Sequence, residues 1–198
     1  MAVGSAPGPE RVTTTSSFAD LIRYAVALFS AGAAGIHFAV AQSHFEEYWL
    51  FGAFFVALAW FQALWAILVV ASAHRALYLI GALANGATVA LWTVTRTTGI
   101  PIGPNAGEPE AAEFIDVLPT AFEVLVVVGC LVLLGRGVAG RPVGGRRVFT
   151  GTVALGLIVV ALTSGAVAAW TPHHEEEPGA QQEEPAGEHQ EEPTEERT

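Results

Sequence analysis

Apolar residues in this chain run in unbroken blocks and do not recur at the spacing that gives an element one wet face. Five blocks, Tyr24–Ala41, Trp49–Ala73, Ala76–Thr95, Val117–Gly135 and Val148–Trp170, are rich in Ala, Leu, Val and Phe. Each is close to the roughly 20 helical residues that cross a hydrocarbon core about 30 Å thick. Backbone amides have no water to bond inside lipid, and the ten-residue alternation of a membrane barrel is missing, so the blocks predict helices. The expected fold is all-α, an integral membrane bundle of five transmembrane helices over residues 18–170. Residues 1–17 are polar and lack the basic start and apolar centre of a signal peptide. Together with the Glu-, Pro-, Gln- and Gly-rich residues 171–198, they are expected to stay disordered, having too few apolar groups to offset ordering entropy.

The connections carry their own signals. QSHFEEY (42–48) and the His74–Arg75 junction are short, which makes the first three helices sequential antiparallel neighbours, and RPVGGRR (141–147) reads as a tight basic turn. The long connection is 96–116, RTTGIPIGPNAGEPEAAEFID. Its first half is punctuated by Pro and Gly and cannot be helical. In its second half, Pro109 suits a first helical position and the acids after it suit the positive end of a helix, so the fourth helix is expected to begin near Glu110 and to bend at Pro119.

Charge orients the bundle. The chain has no lysine, and with a cytoplasmic N-terminus the inner face collects Arg11, Arg23, Arg75, Arg136, Arg141, Arg146 and Arg147, leaving Arg96 and Arg197 outside. That is the positive-inside pattern, and it predicts a multi-pass protein of the cytoplasmic membrane with its C-terminus outside. Tyr48, Trp49, Trp92 and Trp170 then fall at the outer interface. Ten of the 19 acids lie after Trp170, so the net charge of −10 belongs mostly to the tail. With no basic patch to displace counterions, nucleic acid is excluded as a partner, and the lone Cys130 excludes a disulfide or thiolate zinc framework.

Two ionisable residues lie within the predicted spans, and such groups are costly enough to need a reason. His37 sits about seven residues, or roughly 10 Å, inside the outer end of helix one, and Glu123 sits seven residues beyond Asp116 on helix four. His37, His44 and Glu47 share one helical face, and Glu113, Asp116, Thr120 and Glu123 share another. If the faces meet, two imidazoles and up to four carboxylates line a cleft. The donor set His37, His44, Glu47, Glu113, Asp116 and Glu123 suits a divalent transition metal such as Zn, Cu, Fe or Ni. The order His44-x-x-Glu47 is not the Glu-x-x-His of di-iron bundles. His173 and His174, beside three Glu in the tail, are a weaker metal-capturing pair. Gln62 and Asn85, the other polar mid-membrane side chains, are expected to bond between helices where small residues such as Gly81 and Gly86 let backbones approach. Small residues before His37 (Ser30, Ala31, Gly32, Ala34, Gly35) place helix one centrally.

The segment Thr95–Pro104, TRTTGIPIGP, followed by Gly107-Glu108-Pro109-Glu110 and an acidic entry to helix four, resembles a loop of small bacterial, actinobacterial-like, multi-pass membrane proteins to which no activity is assigned. The resemblance covers about residues 92–125 and implies an ordered loop without implying a mechanism. Two functions follow as expectations. One is a membrane protein that binds, or helps to transport, a divalent metal cation at the outer His/carboxylate cluster. The other is a structural or assembly subunit of a homo-oligomer or larger membrane complex, with His37–Glu123 as an interhelical clamp. No phosphate-binding loop, nucleophile elbow or metalloprotease motif points to an enzyme.

Overall fold

The computed structural model describes residues 15–135 and 142–170, and within them the chain is five long helices joined by short connections. They are α1 (Phe18–Glu47), α2 (Trp49–Ala71), α3 (Arg75–Thr97), α4 (Phe114–Leu134) and α5 (Gly145–Ala169). All five are long and apolar enough to cross a membrane, which makes this a multi-pass, all-α membrane bundle. Their outward faces carry large exposed aliphatics, such as Ile67 and Leu68 on α2, Leu83 on α3 and Leu157 and Val160 on α5. In lipid, such faces need no protein partner.

α1 is the centre of the bundle. It packs against α2, α4 and α5, and ten of its residues, from Val26 to Ala41, are buried. Small residues make this possible. A side chain at Gly32 would strike Val159 of α5 and Phe122 of α4, and one at Gly129 of α4 would strike Val26 of α1. Van der Waals packing at such close crossings replaces the hydrophobic drive that lipid does not supply.

The helices extend further than hydropathy alone indicates. α1 begins at Phe18, because Ser17 and Asp20 form a capping box that satisfies the first turn. It also continues through residues 42–47, expected as a loop, so that Tyr48 alone separates it from α2. The reversal is this tight because the Phe45 ring lies on Gly52, where any side chain would collide with it. Thr15–Ser17, within the polar N-terminal segment, pair antiparallel with Pro142–Gly144, and α5 begins at Gly145, earlier than its apolar block. The remaining residues of 1–17 and the acidic tail, with His173 and His174, lie outside the described residues.

Two expectations about the connections are corrected. Residues 108–113 are not helical, and α4 starts at Phe114, where Glu113 and Asp116 form its capping box. Glu110 is instead held back toward α3: its N–H donates to the Thr95 carbonyl, and its carboxylate pairs with Arg96. Second, α3 packs along α4 far more than along α2. α2 and α3 meet in the half of each helix nearest their short turn, where Trp65 lies over Gly81 and donates to the Leu77 carbonyl. Beyond Gln62 and Asn85 the two helices part, and the space between them becomes the cavity described below.

The Trp65–Gly81 contact sets the pitch of that wedge. A valine at Gly81 meets Trp65 ring atoms as close as 2.2 Å and Cys130 Sγ at 3.1 Å. Gly81→Val is expected to destabilise the solubilised protein by about 1–3 kcal/mol, the usual cost of overpacking, and thermal unfolding in detergent checks it.

Candidate functional site

The floor of the site is a chain of four buried polar side chains on four helices. His37 Nε2 of α1 lies 3.1 Å from Glu123 Oε1 of α4. Gln62 Nε2 of α2 donates to the same oxygen at 2.8 Å and to Asn85 Oδ1 of α3 at 3.3 Å. Asn85 Nδ2 closes the chain by donating to the Gly81 carbonyl at 2.8 Å. That last contact fixes the polarity of the whole. A carbonyl can only accept, so Asn85 turns its amide nitrogen to Gly81 and its oxygen to Gln62. Gln62 must then spend its N–H groups on Asn85 and Glu123. His37 is 5% exposed and Glu123 1%, so none of this is shared with bulk water. The pairing of His37 with Glu123 and of Gln62 with Asn85 joins residues that are far apart in sequence, 86 positions in the first case.

Above this floor the parting of α2 and α3 leaves a pocket of about 500 Å³. Its walls are apolar, from Ile36 and Val40 of α1, Phe51, Phe54, Phe55 and Leu58 of α2, and Leu91 and Trp92 of α3. Size and lining are those of a small-molecule site. Phe55 stands between the two imidazoles, with its ring centroid 5.4 Å from that of His37 and 4.0 Å from that of His44.

The 98–113 loop covers the pocket mouth and contributes Ile100, Pro101 and Ile102 to its lining. Gly99 has φ +68°, and a side chain there would meet the backbone of Glu108, so the loop can fold back on itself only with glycine. The return is fastened by Gly107 N–H to the Ile100 carbonyl at 2.8 Å. Gly103 rests on the Phe51 ring, and this contact seats the loop on α2. The rim is electrostatic. Arg96, in the last turn of α3, pairs with Glu110 of the loop and reaches Asp116 of α4 at 2.9 Å. Sequence reasoning treated Arg96 as an exception to the charge asymmetry and missed this role. The acids fourteen and twenty positions downstream were a usable signal, but nothing local says that α3 and α4 are neighbours.

Arg96→Ala removes both pairs. Because the cluster is partly buried and shared among three elements, the loop is expected to open. Amide exchange over residues 99–110 should rise on the order of tenfold while exchange in α1 and α4 stays unchanged.

The six residues expected to share a metal are not brought together as a set. His37, His44, Asp116 and Glu123 line the pocket, and Glu113 lines a second, more open hollow beside it with His44 and Asp116. Glu47 is exposed at the end of α1. His44 Nδ1 lies 2.9 Å from the Val40 carbonyl of its own helix, Asp116 is engaged by Arg96, and Glu113 caps α4. Among the described residues no three His, Cys, Asp or Glu are grouped as a metal ion needs. The faces of α1 and α4 do meet, but of the six expected donors they bring only His37 and Glu123 into hydrogen-bond contact. The i, i+3, i+7 spacing ignored the local partners that take up the other donors.

In comparisons with known proteins, no family model matches this chain, and neither a curated protein nor a solved structure is significantly similar to it.

Proposed function

We propose that this protein is a membrane-embedded binding protein for an apolar small molecule, which enters between α2 and α3 beneath the 98–113 loop and comes to rest on the His37–Glu123 floor. The observation that carries this reading is the pocket itself, an apolar cavity of about 500 Å³ that ends on buried polar side chains. A bundle selected only for stability closes such a gap, because interiors pack to crystal-like density and voids cost free energy. With the arginine asymmetry of the sequence, the mouth faces the extracytoplasmic side. A divalent metal fits less well, since one imidazole and one carboxylate supply two of the four or more ligands that zinc or iron takes.

A second reading, the interhelical clamp of a structural subunit, is favoured by the continuation of the dyad through Gln62 to Asn85, which ties four helices together. The two readings separate in a binding measurement. Tritiated 1-decanol is titrated onto protein in neutral-lipid nanodiscs by scintillation proximity, with empty nanodiscs giving the partition background. Saturable binding near one per chain supports the pocket as a ligand site. Signal equal to the background leaves the clamp.

A further inference from the structure

We infer that the ligand carries a hydrogen-bond-donating cationic head, an aliphatic ammonium or a close relative, and that Glu123 receives it. This rests on the pocket being a ligand site, as proposed above, and adds what the pocket selects. The reasoning is an inventory of polar atoms. Three threonines line the pocket, and each has already given its hydroxyl hydrogen to its own helix: Thr88 to the Ala84 carbonyl at 3.1 Å, Thr95 to Trp92 at 2.8 Å and Thr120 to Asp116 at 2.8 Å. Each therefore offers the pocket only lone pairs. Pro119 also lines the pocket and has no N–H to return to the Ile115 carbonyl. At the floor, Glu123 directs Oε1 to His37 and Gln62, and its second oxygen has no protein donor among the described hydrogen bonds.

Donors are scarce by comparison. Arg96 commits Nη1 to Glu110 and Nη2 to Asp116, and Gln62 commits its amide N–H groups to Asn85 and Glu123. Among the described residues, the indole N–H of Trp92 and the Nε–H of Arg96 are pocket-lining donors left without a partner, and both lie at the rim, where Arg96 stacks against Trp92, away from the floor. The charged groups around the cavity are three carboxylates, Glu110, Asp116 and Glu123, against one guanidinium, with His37 and His44 beside them. A ligand head that only accepts, such as a carboxylate or phosphate, would meet unpaired lone pairs and like charge. A head with two or three N–H groups and a positive charge satisfies the floor, and Phe55 adds an aromatic face next to it.

Three amphiphiles of equal chain length test this: decylammonium, 1-decanol and decanoate, each displacing tritiated 1-decanol from protein in neutral-lipid nanodiscs at pH 7. A chain of about ten carbons fits a pocket of this class. Decylammonium is expected to bind roughly tenfold tighter than 1-decanol, the scale of one charge-assisted contact, and decanoate more weakly than both. Glu123→Gln keeps the side-chain shape and removes the charge, and should bring the affinity for decylammonium to within about threefold of that for 1-decanol measured on the same variant. Thr88→Val, which removes one hydrogen-bond acceptor from the wall, should weaken decylammonium more than 1-decanol. Equal binding of all three heads, tightest binding of decanoate, or an ammonium preference that survives Glu123→Gln overturns the inference and leaves the pocket standing. Failure of 1-decanol to bind the unaltered protein overturns the pocket reading as well.

Discussion

Replacing Glu123 with alanine destabilises the protein by about 2–3 kcal/mol, because two buried donors, His37 Nε2 and Gln62 Nε2, lose their shared acceptor. Membrane hydrogen bonds average well below that figure singly, about 0.6 kcal/mol, so a loss of this size requires both donors to be stranded together. Glu123→Gln is expected to cost less than half as much. Its amide oxygen can still accept from Gln62, and its nitrogen can face the pocket. The measurement is thermal unfolding in one detergent, with His37→Ala added to complete a double-mutant cycle. A coupling energy near zero between positions 37 and 123 would mean that the 3.1 Å contact carries no net energy, and the clamp would lose its basis.

Filling the pocket gives the opposite result, binding lost with the fold retained. Thr120 lines the cavity one helical turn from Glu123 on the same helix. A tryptophan there occupies a large share of the 500 Å³ and leaves the His37–Glu123–Gln62–Asn85 chain untouched. The Asp116 carbonyl, which gives up the Thr120 hydroxyl, keeps its helical N–H partner. Thr120→Trp is therefore expected to reduce 1-decanol binding by more than about tenfold, with stability changed by under roughly 1 kcal/mol. Loss of binding together with collapse of the melting transition would say that the side chain cannot enter the cavity as described. Unchanged binding would place the ligand elsewhere.

These two variants divide the site into its parts. Glu123 serves the fold through one carboxylate oxygen and the pocket through the other, so its removal affects both properties. Thr120 serves only the pocket. Gly81, where Trp65 is seated, serves the wedge between α2 and α3 from which the cavity arises. The four-helix polar chain also explains why a gap of this size is tolerated: the floor is cross-linked by hydrogen bonds, so the helices need not close over it to stay together.

The architecture was legible in the chain because lipid imposes a simple rule. Each span must satisfy its own backbone, so five apolar blocks dictate five helices whatever their neighbours are. The same rule marks His37 and Glu123, since an ionisable side chain among Leu, Val and Phe is improbable without a partner. Their equal depth was readable from the 1.5 Å rise per residue. What the chain could not state was adjacency. Nothing local tells α3 to lie along α4 in preference to α2, because that choice is made by Gly81 against Cys130, by Gly86 beside Val127 and by the reach of Arg75 to the Leu134 carbonyl and of Arg96 to Asp116. The pocket is a consequence of that choice. Local spacing likewise overstated the metal set, because Asp116, Glu113 and His44 each found a nearer partner in Arg96, the α4 N-terminus and the Val40 carbonyl. Sequence alone thus determined the solvent, the helices and the two buried ionisable side chains. Tertiary packing decided which helices touch and which part, because contacts between distant segments depend on side-chain shape, which hydropathy does not record.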